Sequence, residues 1–141
     1  MRSPDPRVLL VDDEPRFRAQ LRQILTAYGI VLVAEAGSGP QAANLARQLR
    51  PAVVLIDLLI PDMDGLTATR LLLDRLPSTG VIILSAYDDP TLRYAAQQAG
   101  AAAYLAKGCL ARQAADTINQ VATDRAGQEQ PSSDRLDAQH P

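Results

Sequence analysis

Apolar and polar positions alternate along this chain in two rhythms. Short apolar runs occupy Val8–Val11, Val31–Glu35, Val53–Ile56, Val81–Leu84 and Ala102–Leu105. They are rich in Val, Ile and Leu and predict strands; the first, third and fourth are nearly continuous, as in strands covered on both faces. Between them the spacing turns helical. Phe17, Leu21, Ile24, Leu25 and Tyr28 share one face, and Gly29 stops that helix. Ser38-Gly39-Pro40 opens a second helix with Ala42, Leu45, Ala46 and Leu49 inward, and Arg50-Pro51 closes it. Leu66 to Arg75 predicts a third, ending near Pro77. Asp89-Pro90 reads as N-cap and first position of a fourth, closed by Ala99-Gly100. Leu110, Ala114, Ile118 and Val121 form the inner stripe of a fifth. Five strand–helix units predict an α/β fold, with right-handed crossovers placing helices on both faces of a parallel sheet. From Asp124 onward Gly, Pro, Ser, Gln and Asp dominate and the periodicity is lost, so residues 124–141 read as a disordered tail or linker stub.

Three of the strand runs lead into charge. Val8–Val11 runs into Asp12-Asp13, Val53–Ile56 into Asp57, and the run at Ala101–Ala106 into Lys107. Open parallel sheets bind ligands at the C-terminal edge of their strands. Three carboxylates and an amine at that edge make a site for a divalent metal and a phosphoryl group. The Asp12-Asp13 pair by itself suits a solvated helix N-terminus equally well, since Pro15 begins a helix there and the macrodipole favours acids. Asp57 is more informative, because Pro61 and Gly65 supply the turn several residues later and Asp57 is not needed for it. A carboxylate can attack phosphorus to give an acyl phosphate, and the transfer needs positioning and charge neutralisation.

Lys107 is the one lysine among fourteen basic residues, the other thirteen being arginine. A compact ammonium at a strand end, in a chain that otherwise uses arginine, points to a point charge rather than a planar fork. Ser85 ends the fourth strand, where its hydroxyl would donate to a phosphoryl oxygen. Tyr104 lies inside the last strand, on the opposite face from Leu105. Its ring either packs in the core or turns between an outward position and one toward the Ser85 loop.

The composition narrows the setting. The chain has 141 residues, enough for one domain, with 47% hydrophobic and 21% charged residues. Its net charge of −2 and its lack of a Lys/Arg block argue against direct nucleic-acid binding by this chain. The single cysteine, Cys109, rules out an intramolecular disulfide and reads as a small, half-buried side chain rather than a redox thiol. The one histidine, His140, falls in the tail and reads as exposed rather than as a phosphodonor. With no run of ~18–20 apolar residues and no apolar leader, the expectation is a cytoplasmic protein without a membrane partner.

Taken together, Val11-Asp12-Asp13-Glu14, the stretch Asp57-Leu58-Leu59-Ile60-Pro61-Asp62-Met63-Asp64-Gly65, Leu84-Ser85-Ala86 and Ala103-Tyr104-Leu105-Ala106-Lys107 resemble the receiver domain of bacterial response regulators. The wording around Ala34–Ala46 and Asp89–Lys107 is most similar to receivers of LuxR-type transcriptional regulators. The resemblance covers about residues 6–123. It implies a CheY-like, flavodoxin-like three-layer sandwich, a (βα)5 doubly wound five-stranded parallel sheet in the order 2-1-3-4-5.

The same resemblance assigns roles. Asp57 would accept a phosphoryl group from a histidine kinase, a phosphotransfer protein or a small phosphodonor. Asp13, Asp57 and the Leu59 carbonyl would hold Mg²⁺ (or Mn²⁺), with Asp12 acting largely through water. Ser85 and Lys107 would hold phosphoryl oxygens. Ser85 and Tyr104 would then shift the surface of the fourth helix, fifth strand and fifth helix, through which a homodimer, an output domain or a partner protein would be engaged. The protein would thus be a signalling phosphoacceptor rather than an enzyme. Gly108 stands where many receivers have proline, and before glycine a cis bond would cost roughly 2.5–4 kcal/mol. Ile60 replaces a frequent Met. Leu59 and Tyr87 offer no amide or carboxylate to orient water, which implies slow loss of the phosphoryl group.

The same residues admit other readings. The same fold would serve a stand-alone phosphate sink or docking module. Asp62-Met63-Asp64-Gly65 mimics the opening motif of haloacid-dehalogenase-like phosphatases, although Pro61 precedes it and the apolar run ends earlier. A flavin-binding module of the same topology would need a phosphate loop after the first strand, and Asp-Asp-Glu-Pro there repels phosphate.

Overall fold

The computed structural model describes the backbone of residues 6–109 and 111–138, with side chains described through Ala126 except at Cys109. Five strands and five helices alternate: β1 (Arg7–Val11), α1 (Pro15–Ala27), β2 (Val31–Ala36), α2 (Gly39–Leu49), β3 (Val53–Asp57), α3 (Gly65–Arg75), β4 (Gly80–Ser85), α4 (Pro90–Gln98), β5 (Ala103–Ala106) and α5 (Ala111–Ala138). The strands form one sheet in the order β2-β1-β3-β4-β5, and every pairing is parallel. The predicted (βα)5 sandwich is thus the observed fold.

Strand alternation divides the interior into two cores. Val8, Leu10, Val53, Leu55, Ile82, Leu84 and Leu105 face one side and pack with Leu21 and Leu25 of α1 and Ala114, Ile118 and Val121 of α5. Leu9, Val11, Val54, Ile56, Val81, Ile83 and Tyr104 face the other and pack with Ala42 and Ala46 of α2, Ala68 and Leu72 of α3 and Ala96 of α4. Because β1, β3 and β4 are covered on both faces, their sequences are continuous apolar runs. The sheet lies so close to α5 that a Cβ on Gly80 would collide with Val121.

Local signals explain the boundaries. Ser38, Asp64 and Asp89 accept hydrogen bonds from the first-turn amides of α2, α3 and α4. Pro90 follows its cap as the spacing predicts. Gly29 and Gly100, at φ of +79° and +102°, turn the chain after α1 and α4.

Three details differ from the sequence reading. Tyr28 is 46% exposed because α1 ends at Ala27 and Tyr28 is its cap. The last strand begins at Ala103 rather than Ala102. α5 continues to Ala138, so residues 124–138, read from the sequence as a disordered tail or linker stub, are helical. Arg, Ala, Gln and Glu sustain helical backbone without an apolar stripe, against the cost of Gly127 and Pro131, and the loss of that stripe was the signal read as a tail. Leu110, His140 and the side chain of Cys109 lie outside the described residues. Among the described residues, no helix is long and apolar enough to cross a membrane.

Candidate functional site

The sheet register brings the predicted residues to one edge. Val11 pairs with Ile56, Asp57 with Leu84, and Ser85 with Ala106. Asp12, Asp57, Ser85 and Lys107 therefore emerge side by side where β1, β3, β4 and β5 end. Carboxylate oxygens of Asp12, Asp13 and Asp57 lie within 4.8 Å of one another.

Asp12 is fully buried. Its Oδ1 accepts from the Glu14 amide at 2.8 Å, and its Oδ2 accepts from Lys107 Nζ at 2.8 Å. Its own amide donates to the Ala36 carbonyl at 3.0 Å, and its carbonyl accepts from the Arg18 guanidinium. Asp57 is 7% exposed. Its Oδ1 accepts from the Leu59 amide at 3.2 Å and its Oδ2 from Lys107 at 2.9 Å. Asp13 remains exposed at the rim.

These contacts set the electrostatics. Burial pushes the Asp57 carboxyl above its ordinary value; the Lys107 and Leu59 hydrogen bonds oppose this, and the Asp12 charge adds to it. Burial works to lower the Lys107 pKa, but hydrogen bonds to Asp12 and Asp57, with their charges, raise it. Lys107 is thus a firm cation. It offsets one of three clustered carboxylates, so the site keeps a surplus of negative charge on hard oxygen donors. That donor set suits a small divalent cation.

Two loops frame the edge. After β3 the chain folds back so that Leu59 bridges to Asp64 and the Gly65 amide donates to the Leu58 carbonyl at 2.7 Å. A Cβ on Gly65 would lie 2.5 Å from the Asp57 carbonyl oxygen, so only glycine permits this approach. After β4, the Tyr87 amide donates to Ser85 Oγ at 3.1 Å. The Tyr104 ring is turned inward, 8% exposed, and its hydroxyl donates to the Tyr87 carbonyl at 2.5 Å. Leu59 and Tyr87 stand 65% and 61% exposed at the mouth.

The phosphatase-like Asp62–Gly65 stretch has another task. Asp64 caps α3, and neither Asp62 nor Asp64 lies at a strand tip.

Three further residues, Arg18, Arg93 and Phe17, make contacts at this edge that the sequence pattern does not indicate. Arg18 binds the Asp12 carbonyl and pairs with Glu35 of β2 at 3.3 Å. Arg93 of α4 lies over the Tyr104 ring, 4.8 Å from its centroid, and pairs with Asp88 at 2.8 Å. Phe17 lies against Lys107, with the ammonium 4.2 Å from the ring centroid. Arg18 and Arg93 are ordinary surface arginines in sequence; Phe17 at least stands out as the one phenylalanine.

The family model for the response regulator receiver domain matches residues 8–119. The chain belongs to this family. Receiver domains of this kind are signalling modules of two-component systems. This receiver is 34% identical over 121 residues to the uncharacterized transcriptional regulatory protein YxjL of Bacillus subtilis, covering 85% of this chain and 56% of that protein. It is 35% identical over 116 residues to the response regulator GacA of Pseudomonas aeruginosa, covering 82% of this chain and 54% of that protein. The receiver thus spans about half the length of the curated relatives it matches. Among solved structures it is similar to the signal receiver domain of the putative response regulator NarL from Mycobacterium tuberculosis, with TM-score 0.80 and 32% identity over 86% of this chain and 98% of that one. A LuxR-family two-component response regulator from Aurantimonas gives TM-score 0.82 and 28% identity over 86% of this chain and 88% of that one.

Proposed function

We propose that this receiver is a phosphoacceptor whose modified residue is Asp57. The observation that carries the reading is the convergence of Asp12, Asp13 and Asp57 at one sheet edge with Lys107 bonded to two of them. A carboxylate oxygen of Asp57 attacks the phosphorus of a phosphohistidine or a small acyl phosphate. The new P–O bond forms as the bond to the donor's imidazole or carboxylate breaks, leaving an acyl phosphate on Asp57.

The residues divide the remaining work. Asp13, Asp57 and the Leu59 carbonyl, with Asp12 acting through water, are the groups that would hold Mg²⁺ or Mn²⁺. That cation supplies neutralisation of the phosphoryl oxygens' charge. Lys107 passes from Asp57 Oδ2 to a phosphoryl oxygen and keeps the modified side chain oriented. Ser85, whose Oγ already accepts from Tyr87, has its own proton free to donate to a second phosphoryl oxygen.

Movement of Ser85 alters the loop to which the Tyr104 hydroxyl is bonded. The signal thereby reaches the surface made by α4, β5 and α5, where a homodimer or an output partner would engage. The matched segment is only 56% and 54% of the length of the relatives named as transcriptional regulators, which favours an output domain over a phosphate sink. The kinase or phosphotransfer partner docks at the open edge around Asp57.

The test is incubation with acetyl phosphate and Mg²⁺, or with beryllofluoride and Mg²⁺, with sizing before and after. Mg²⁺-dependent modification of wild type and none of Asp57→Ala is expected. Equal labelling of both, or none of wild type, overturns the mechanism. Dimerisation on modification supports the regulator reading against the sink.

A further inference from the structure

We propose that Phe17 is a positioning residue of the phosphorylation site, its ring face seating the Lys107 ammonium against Asp12 and Asp57. The inference rests on the phosphoacceptor reading above and goes beyond it to a residue outside the matched motifs.

The ammonium has three N–H donors. Asp12 Oδ2 and Asp57 Oδ2 accept from it at 2.8 and 2.9 Å. The Phe17 ring covers a further side, 4.2 Å from centroid to Nζ, well inside the range of cation–π attraction. The ring itself is anchored. Phe17 lies in the first turn of α1 and packs partly against the core that α1 and α5 share. One face of this side chain therefore belongs to the core and the other to the site.

The geometry answers a difficulty in the use of lysine. A four-carbon stem is flexible, and Lys107 must release a carboxylate and take up a phosphoryl oxygen without wandering into solvent. Its side chain is only 22% exposed. Carboxylate contacts change during that exchange, whereas the ring contact does not have to. An apolar residue such as leucine would fill the same core space and would not attract the cation. The chain contains one phenylalanine and one lysine, and they meet here.

That pairing makes the test clean, because one isotope-labelled lysine gives one set of side-chain signals. In wild type, the Lys107 ε-methylene protons should resonate upfield of free lysine through the ring current. Phe17→Leu should abolish that shift and slow modification by acetyl phosphate and Mg²⁺ by about fivefold, and Phe17→Tyr should recover most of the rate. A wild-type ε-methylene signal at the free-lysine position overturns the proposal. So does a Phe17→Leu protein that melts cooperatively and is modified at the wild-type rate, since that pattern belongs to a packing residue alone. If wild type takes no phosphoryl group, the reading of Asp57 fails, while the ring shift still decides where the ammonium sits.

Discussion

The ammonium of Lys107 lies 2.9 Å from Oδ2 of Asp57, and the same nitrogen serves Asp12 at 2.8 Å. A single cation thus holds two buried carboxylates at the end of the sheet. Lys107→Ala should destabilise the fold by about 1–3 kcal/mol, the order expected when a buried polar group loses its partner in a site open to water on one side. Thermal melts in chelator would show this, and added Mg²⁺ should recover part of the loss by binding the folded state.

Asp57 gives an opposite expectation. Its folded pKa is raised, chiefly by burial, so the folded chain holds that proton more tightly than the unfolded chain. Its contribution to stability is present below the ordinary carboxylate pKa of about 3.9 and is lost as pH rises through the raised folded value. Asp57→Asn carries no such charge. In chelator, its melting temperature should gain on wild type across that pH window and stay at or above it at neutral pH. A variant that falls below wild type at neutral pH would contradict this.

Asp64 behaves in the conventional direction. The amide of Thr67 donates to its Oδ1 at 2.7 Å, and this holds the carboxyl below its ordinary value. Its stabilising effect is present above the unfolded pKa and lost as pH falls through the lowered folded one. Asp64→Ala should cost about 1 kcal/mol at neutral pH as a lost helix cap. The gap between the two denaturation midpoints should narrow on acidification through the carboxylate range.

Two glycines separate stability from site geometry. A methyl group on Gly65 meets the Asp57 carbonyl oxygen and the Leu58 Cα, both backbone atoms. One on Gly80 meets Val121 on the far side of the sheet. Either alanine variant should lose about 1–3 kcal/mol by overpacking. Well below the melting temperature, only Gly65→Ala should also slow acetyl phosphate modification, because only there does the Leu59 loop have to move.

The rim residues bear on how long a phosphoryl group persists. Leu59 and Tyr87 are exposed at the mouth and carry neither an amide nor a carboxylate to align water for attack on phosphorus. Slow loss is expected, and Leu59→Asn, which places an amide there, should accelerate it. A lifetime of seconds for the wild-type modified protein in Mg²⁺ would count against this account.

Legibility in the sequence followed burial. β1, β3 and β4 are buried on both faces, and their apolar runs mark them to within a residue at each end. β5, with half-buried Ala103 and Ala106 at its ends, was displaced by one position. Asp12, Asp57, Ser85 and Lys107 were visible because each follows or ends an apolar run, so strand logic alone collects them. The contacts of Phe17, Arg18 and Arg93 were not visible, because their partners Lys107, Asp12 and Tyr104 lie on other elements and only the packed sheet brings them together. The continuation of α5 was missed because backbone propensity, not an apolar stripe, carries it.

The contact between Asp12 and Lys107 spans 95 residues of chain, and that between Asp57 and Lys107 spans 50. No fragment of the domain can hold these groups together. On the proposed reading, accepting a phosphoryl group requires the whole domain, and loss of any one of β1, β3, β4 or β5 should end it. Linkage runs the other way as well: whatever occupies this edge stabilises all four strand ends at once. If the edge is the phosphorylation site proposed above, a copy in which any of these strands has come apart should lose the site along with the strand.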